Sequence, residues 1–453
     1  MGNWDKRVID LYISIRSFLR NHLSGMAKRI LKGSFWVMIG SLASKILVFC
    51  ATIAVVRIIG KHDYGQLSII RSTIQMFVSL SAFGMGTTAT KFIAQYRASD
   101  ANKTAKIYVV ANTFALCIAI FTSILIFIFA HYIAFNMLKA PELLTDIKIA
   151  AIILFFSLLN GAQTGTLAGF EDFKRIAKSA LLLGVLELSL LSAGALLYGV
   201  RGAILGYGLS YCFAFMYNSY YIKRHIKEIG SDLRTVIRNL KMTDFDIIYQ
   251  FSLPVALTSW IGMPCLWYSK TYLVNHAGFE EMALYDVSDQ WRAQILFVPS
   301  IVSQALLPIL SNTIAQKDKH STIHALTINM KINGGITFTV AVILALLSPW
   351  VLKIYGSEYT DCLPLILLAF AGAIDSISNV CGSFIFSSNR AWSILKFNAT
   401  WALVLVVVSL TMINNNAGAS GLAVGYFLAN ITLTSLMVIK TYRILKYGKI
   451  TIH

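Results

Sequence analysis

The feature that most restricts the fold of this chain is a series of apolar runs of about 20 residues, separated by short clusters of charge. An α-helix needs about 20 apolar residues to cross the hydrocarbon core of a bilayer. Hydrophobic residues make up 57% of the 453 residues and charged residues only 13%. Soluble domains normally carry more charge and fewer apolar residues. The sequence therefore predicts an all-α, polytopic membrane protein.

Twelve transmembrane helices are predicted from the limits of the apolar runs. They are placed approximately at residues 34–57, 64–90, 107–130, 148–169, 180–199, 202–222, 248–275, 284–310, 328–350, 364–388, 394–413 and 419–440. Most of the 39 Lys and Arg residues then fall on one side of the membrane, together with both termini. Because positive charge marks the cytoplasmic side, both termini are predicted to be cytoplasmic. The net charge of +18 is explained by this bias, so no nucleic-acid partner is expected.

The longest basic loop divides the predicted helices into two sets of six. The predicted parts are a cytoplasmic interfacial segment (1–33), an N-lobe (34–222), a basic cytoplasmic linker (223–247), a C-lobe (248–440) and a cytoplasmic tail (441–453). The first 25 residues place apolar and basic side chains at helical spacing, which is typical of a helix lying on anionic lipid. The alternative for this segment is that Met26 is the natural start. The six cysteines are scattered, so neither a disulfide framework nor a metal site is expected.

Two short patterns recur about 220 residues apart, which favours a duplication of a six-helix unit. The first is a Gly-x-x-x-Gly-Tyr pattern, found at Gly202, Gly206 and Tyr207 and again at Gly421, Gly425 and Tyr426. The second is a tyrosine followed seven residues later by an arginine, found at Tyr64 and Arg71 and again at Tyr285 and Arg292. Repeats with an even number of spans are parallel, and an axis along the membrane normal relates them. The two halves are therefore expected to face each other across a central space.

Cations within the predicted helices are the main candidates for function, because a charge in lipid costs about 3 kcal/mol on insertion scales. The candidate substrate-binding residues are Lys45, Arg57, Arg71, Lys270 and Arg292. Arg57 and Lys270 lie near the outer ends of their helices, where a long side chain can reach the headgroups instead. Lys45, Arg71 and Arg292 lie deeper and favour a cavity. Because arginine binds two phosphate oxygens at once, this set predicts a site for a pyrophosphate group.

Four carboxylates also lie in or near the predicted helices, at Glu187, Asp286, Asp289 and Asp375. Glu187 and Asp375 have no oppositely charged neighbour in sequence, which makes them candidates for ion coupling by protonation. The alternative for both is pairing with a cation of another helix. Asp289 is a further candidate, with an ion pair to Arg292 three residues later as the alternative.

Aromatic side chains near the lead helices of the second half are candidates for stacking on sugar rings. These are Trp267, Tyr268 and Trp291. Most aromatic residues in membrane helices instead pack against neighbours or lie at the interface. No nucleotide-binding or hydrolase motif is present, and no cofactor is expected.

The segment 32–95 resembles the start of the polysaccharide transporter (O-antigen flippase) family, within the multidrug/oligosaccharidyl-lipid/polysaccharide exporter superfamily. The resemblance rests on three short stretches and on a Gly-rich end to the second helix: Lys32-Gly33-Ser34-Phe35-Trp36, Arg57-Ile58-Ile59-Gly60 and Asp63-Tyr64-Gly65. It implies two six-helix lobes around a cavity and transport by alternating access. It further implies flipping of undecaprenyl-pyrophosphate-linked oligosaccharide, such as an O-antigen unit of lipopolysaccharide, across the bacterial inner membrane.

The expected function is therefore that of a flippase and not of an enzyme, with the lipid-linked oligosaccharide and membrane lipids as partners. A glycan polymerase and a chain-length regulator are candidate protein partners. A cation-coupled multidrug exporter is one alternative. The sister exporters usually carry acidic residues in their lead helices, whereas the first helix here has Lys45 and Arg57 and no acid. A membrane polymerase or ligase is the other alternative, although the longest outward loop, 131–147, is short and mostly apolar.

Overall fold

The computed structural model describes residues 25–231, 233–238, 260–297, 299, 319–388 and 390–447. Within these residues the chain is helical, without a β-strand. The α-helices, numbered in chain order, are α1 Gly25–Ser81, α2 Met85–Tyr96, α3 Ala101–Tyr132, α4 Leu144–Gly169, α5 Phe173–Leu186, α6 Ser192–Glu228, α7 Leu233–Arg238, α8 Gly262–Ala277, α9 Phe279–Ile295, α10 Lys319–Lys353, α11 Leu363–Ser387, α12 Ala391–Asn414 and α13 Gly418–Tyr447. The π-helices Ile133–Met137 and Glu187–Leu191 and the 3₁₀ helix Pro141–Leu143 complete the sequence of elements.

The all-α membrane fold predicted from the apolar runs is confirmed. Among the described residues, seven helical stretches are long and apolar enough to cross a membrane. Two of these stretches, Trp36–Ser81 and Phe173–Glu228, each contain two of the predicted spans because the chain turns without a loop. Helices occupy most of the described part of every predicted span. The first part of the seventh span and the last part of the eighth lie outside the described residues, as does the interfacial helix predicted for the first 25 residues, except Gly25.

Several helices depart from the predicted limits. The second predicted span is interrupted between α1 and α2, where Phe83 and Gly84 both have positive φ. The fifth contains the π-helix Glu187–Leu191. Helix α6 continues to Glu228 and α13 to Tyr447, so both extend into segments that were expected to be linker and tail.

The first two predicted spans of each half are separated by a glycine, and these two glycines have the same backbone geometry. Gly60, within α1, has φ 83° and ψ 172°. Gly278, between α8 and α9, has φ 89° and ψ 175°. This region is essentially restricted to glycine, because any Cβ is strained there. The two glycines lie about 220 residues apart, close to the separation of the sequence patterns. They support the proposed duplication into two lobes.

Helix α4 carries three glycines at four-residue spacing, Gly161, Gly165 and Gly169, and this small-residue ladder faces α2. A Cβ at Gly165 would overlap the carbonyl oxygen and Cα of Gly86. Thr90 Oγ1 donates a hydrogen bond of 2.8 Å to the carbonyl oxygen of Gly165 across the same contact. By contrast, a Cβ at Gly161 would meet no atom within 4 Å. Only part of the ladder therefore serves close helix packing.

We expect Gly165→Ala to lower the stability of the protein by about 1–3 kcal/mol, because the methyl group forces α4 away from α2. Gly161→Ala is the matched control on the same helix, and alanine there is expected to be neutral or slightly stabilising. The thermal unfolding midpoint of the purified protein in detergent measures both effects. Equal midpoints for the two variants would show that the contact between α2 and α4 does not restrain the fold.

Candidate functional site

A cavity of about 300 Å³ lies where α1 and α6 of the first half meet α8 and α9 of the second. Its charged lining residues are Arg71, Lys270, Asp286, Asp289 and Arg292. Three of the five cations singled out in the sequence therefore line one space. Their common location follows from the packing of α1 against α8 and α9, which the residue spacing alone did not show.

Arg71 lies on the second part of α1 and has an internal counter-ion. Its Cζ atom is 5.1 Å from the centre of the Tyr207 ring of α6. Glu187, at the first position of the π-helix Glu187–Leu191, interacts electrostatically with Arg71. The Glu187 residue is only 4% exposed and is not among the residues that line the cavity. Glu187 is therefore close enough to Arg71 for an electrostatic interaction across helices, although the two side chains form no ion pair within 4 Å.

Arg292 lies on α9 and is held by two carboxylates. Its Nε atom donates to Asp289 Oδ1 at 2.6 Å, which is the ion pair within one helix considered above. Its Nη1 atom donates to Asp375 Oδ2 of α11 at 3.2 Å. The ring of Tyr426 from α13 lies 4.7 Å from the Arg292 Cζ atom. Asp375 is thus paired across helices rather than isolated.

Lys270 of α8 is buried near the same carboxylates. The residue is 7% exposed, and its Nζ atom lies 5.5 Å from the centre of the Tyr285 ring. It also interacts electrostatically with Asp289. Because the Lys270 side chain is buried inside the protein, its position favours the cavity over the alternative of a contact with the headgroups.

A hydrogen-bond network around Asp286 joins the two halves of the chain. Tyr64 Oη of α1 donates to Asp286 Oδ2 of α9 at 2.6 Å. Gln290 Nε2 donates to the same carboxylate oxygen at 3.0 Å and to Tyr64 Oη at 2.8 Å. Sequence reasoning gave Asp286 no role. Its spacing of four residues from Gln290 is a local signal, whereas nothing in the sequence pairs it with Tyr64.

The other two predicted cations lie outside the cavity lining. Arg57 is exposed near the Gly60 break, and its Nε atom donates to the backbone oxygen of Ile354 at 2.6 Å. Lys45 lies one turn of α1 before the lining residue Val48, and its Nζ atom is 4.6 Å from the centre of the Phe297 ring. Arg57 therefore contacts the second half of the chain, and Lys45 approaches the cavity without lining it.

The three candidate sugar-contact residues have different surroundings. Trp267 lines the cavity, and its indole N–H donates to Thr73 Oγ1 at 2.9 Å. Trp291 does not line the cavity and packs edge-on against Phe49, with ring centres 4.8 Å apart. Tyr268 is 48% exposed and lies outside the lining. Among these three, only Trp267 is placed where a ligand in this cavity would touch it.

The cavity and its surroundings form a network of mixed charge rather than a purely cationic surface. Its cations Arg71, Lys270 and Arg292 face four carboxylates, two of which line the cavity while the others lie behind it: Asp286, Asp289, Glu187 and Asp375. Buried charges of this kind are stable only when they are paired and hydrogen-bonded. An anion entering the cavity must therefore compete with resident carboxylates for the arginine donors.

The family model described as "Polysaccharide biosynthesis protein" matches residues 30–314. The chain is 23% identical over 344 residues to "Stage V sporulation protein B" of Bacillus subtilis (strain 168), covering 71% of this chain and 66% of that protein. This is slightly less than two thirds of the length of that relative. It is also 20% identical over 338 residues to the "Putative O-antigen transporter" of Shigella flexneri, covering 73% of this chain and 77% of that protein.

Solved structures with the same fold are transporters of the MOP superfamily. An inward-facing multidrug resistance MATE family transporter of this superfamily superposes with a TM-score of 0.76 at 16% identity, covering 89% of this chain and 96% of that chain. An outward-facing structure of such a transporter gives a TM-score of 0.68 at 16% identity, covering 93% of this chain and 96% of that chain. These likenesses establish the fold, and the family model covers more than half of the chain. The resemblance seen in the sequence is therefore confirmed: this multi-pass membrane protein belongs to the polysaccharide biosynthesis protein family and has the MOP transporter fold.

Proposed function

We propose that this protein is a flippase that carries an undecaprenyl-pyrophosphate-linked oligosaccharide across the bacterial inner membrane by alternating access. It makes and breaks no covalent bond. Both termini lie in the cytoplasm, as the charge bias of the sequence favours. The single observation that supports this proposal most is the presence of Arg71, Lys270 and Arg292 in one cavity between the two halves.

The chemistry of these three cations suits a pyrophosphate group. Each guanidinium offers a planar fork of donors that matches two phosphate oxygens, and Lys270 adds a point charge. Asp289 already accepts a hydrogen bond from Arg292. A substrate with a single weak charge gains little by displacing this carboxylate. A pyrophosphate brings several oxygens and two charges, so it can replace the resident partner of each arginine.

The polar groups around the cations suit the sugar part of the same substrate. Gln75, Gln290 and Gln294 line the cavity together with the Trp267 ring. Amide groups donate to and accept from hydroxyl groups, and an aromatic face can stack on a sugar ring. The polyprenyl chain stays in the lipid while the head group crosses. The amides and the ring thus complement the anion site.

A cation-coupled multidrug exporter is the second candidate, because Asp286 and Asp289 also line the cavity. Carboxylates in a cavity attract cationic molecules, and solved structures with the same fold include multidrug resistance transporters. In this chain, however, Asp286 accepts hydrogen bonds from Tyr64 and Gln290, and Asp289 is paired with Arg292. Because both carboxylates already have partners in the protein, less of their negative charge is available to bind a cationic drug.

A flipping assay with purified protein in liposomes separates the two candidates. One arm follows a fluorescent undecaprenyl-pyrophosphate-linked oligosaccharide from the inner to the outer leaflet, and the other follows export of a cationic dye. We expect flipping of the lipid-linked oligosaccharide above the level of protein-free liposomes, with no dye export. Dye export without any flipping of the oligosaccharide would contradict the proposal and support the exporter.

A further inference from the structure

The Gly-x-x-x-Gly-Tyr pattern repeated in α6 and α13 places a tyrosine ring over each cavity arginine. The Tyr207 ring centre lies 5.1 Å from Arg71 Cζ, and the Tyr426 ring centre lies 4.7 Å from Arg292 Cζ. Both tyrosines are nearly buried, with 5% and 7% of their surface exposed. The last helix of each half therefore supplies the same aromatic partner to the arginine of that half.

The glycines of the pattern hold these helices close to their neighbours. A Cβ at Gly206 would overlap the carbonyl oxygen of Leu190, which belongs to the π-helix that carries Glu187. A Cβ at Gly425 would overlap the Ser409 hydroxyl of α12. Since each tyrosine directly follows one of these glycines, close packing of the helix fixes where its ring lies.

A tyrosine ring and a carboxylate hold a guanidinium in different ways. The ring attracts the positive charge through the face of the guanidinium, whereas the five N–H donors lie in its plane. A ring that packs on the face leaves the donors at the edge for a phosphate group, and the distances of 5.1 Å and 4.7 Å from Cζ to the ring centres fit such packing. Asp289 and Asp375 instead occupy edge donors of Arg292. An anionic ligand must compete with these carboxylates but not with the Tyr426 ring.

We propose that Tyr207 and Tyr426 are positioning residues for the anion site, each holding the face of a cavity arginine so that its edge donors meet the phosphate oxygens of the substrate. This inference rests on the proposed flippase function. The Gly-x-x-x-Gly-Tyr pattern is then the sequence signature of the site, with one copy for each arginine. Substrate binding then requires both copies of the pattern, because each copy positions a different arginine.

Replacing either tyrosine by leucine is expected to weaken binding of undecaprenyl pyrophosphate to the purified protein by about fivefold to thirtyfold, the usual range of a desolvated cation–π contact. Replacement by phenylalanine retains the ring, so the dissociation constant is expected to stay within about twofold of wild type. Tyr220→Leu and Tyr442→Leu are the matched controls. These tyrosines lie on the same two helices and are 62% and 59% exposed.

A fluorination series separates positioning from simple packing. Phenylalanine and its mono-, di- and trifluorinated analogues, incorporated at residue 207 or 426, keep the ring shape while fluorine progressively weakens the negative face of the ring. We expect the dissociation constant to rise stepwise with each fluorine, with an unchanged thermal unfolding midpoint. A packing role predicts the same dissociation constant across the series, and that result would overturn the inference.

The wild-type protein distinguishes failure of this inference from failure of the proposed function. If the wild type does not bind undecaprenyl pyrophosphate, the proposed function is wrong and the inference falls with it. If the wild type binds and Arg71→Ala does not, the anion site stands. A Tyr207→Leu variant that then binds as tightly as the wild type would overturn only the role of the tyrosine. A phenylalanine variant as weak as the leucine variant would do so too, because the hydroxyl and not the ring would then matter.

Discussion

Arg71→Ala and Arg292→Ala are each expected to lower flipping of the lipid-linked oligosaccharide by at least about 100-fold, because each removes a bidentate, charge-assisted contact with phosphate. Arg292→Ala also breaks the ion pair of the buried Asp375, and Arg71→Ala removes the cation with which the buried Glu187 interacts electrostatically. An unpaired buried charge costs about 3–5 kcal/mol, so both single variants are expected to be less stable as well. The initial flipping rate in liposomes measures the first effect, and the thermal unfolding midpoint measures the second.

A double replacement separates loss of function from loss of stability. Arg71→Gln combined with Glu187→Gln removes both charges of the pair, and such paired removal is often neutral for stability. We expect this variant to unfold at a temperature close to wild type while flipping stays abolished. Arg443→Ala, at an exposed position of α13, is the control for loss of an arginine outside the site. Normal flipping by the double variant would show that Arg71 does not bind the substrate.

Binding of the substrate is expected to take up protons, which links transport to the pH gradient. The cavity cations already lie near carboxylates, and an incoming anion disfavours the ionised form of any carboxylate beside it. A carboxylate displaced from its arginine therefore binds a proton as the anion arrives. Since proton uptake is favoured at low pH, affinity should fall as pH rises, by up to about tenfold per pH unit for each proton. A pyrophosphodiester carries no titratable group near neutral pH, so a pH dependence of its affinity arises from titration of the protein.

Glu187→Gln and Asp375→Asn each remove one titratable group while keeping its shape. We expect both variants to show a weaker dependence of affinity on pH and a smaller response of the initial flipping rate to an imposed pH gradient. Glu358→Gln, at an exposed position between α10 and α11, is the control carboxylate. If the wild type, both variants and the control flip at equal rates under every pH and sodium gradient, passive facilitated flipping is the better account.

The sequence predicted the membrane fold well because a bilayer imposes a simple physical rule. Every span needs a long apolar helix, so the apolar runs located a helix at the described part of each predicted span. The interruption at Phe83 and Gly84 was missed, because Phe83 is a residue that rarely adopts positive φ. The π-helix at Glu187 was missed for a similar reason. Such local irregularities depend on the packing of neighbouring helices, which cannot be predicted from the length of an apolar run.

The candidate site was predicted in part. The cost of a charge in lipid identified Arg71, Lys270 and Arg292, and the structure brings all three to one cavity. The pair of Arg292 with Asp289 was considered because the two lie three residues apart, whereas the pair with Asp375 could not be assigned, because it joins residues 83 positions apart. The two tyrosines were recognised only as part of a repeat. The glycines of the repeat indicate close helix packing, but the identity of the neighbouring helices, and hence the position of the rings near the arginines, follows only from the structure.

A structure of the full-length protein bound to undecaprenyl pyrophosphate, determined by electron cryomicroscopy, tests the central claim most directly. We predict that the pyrophosphate oxygens lie within about 2.7–3.2 Å of the guanidinium nitrogens of Arg71 and Arg292. Lys270 Nζ is expected to lie beside the same group, with the rings of Tyr207 and Tyr426 still covering the faces of the arginines. A pyrophosphate bound elsewhere, with Arg292 still paired to Asp289 and Asp375, would contradict the account.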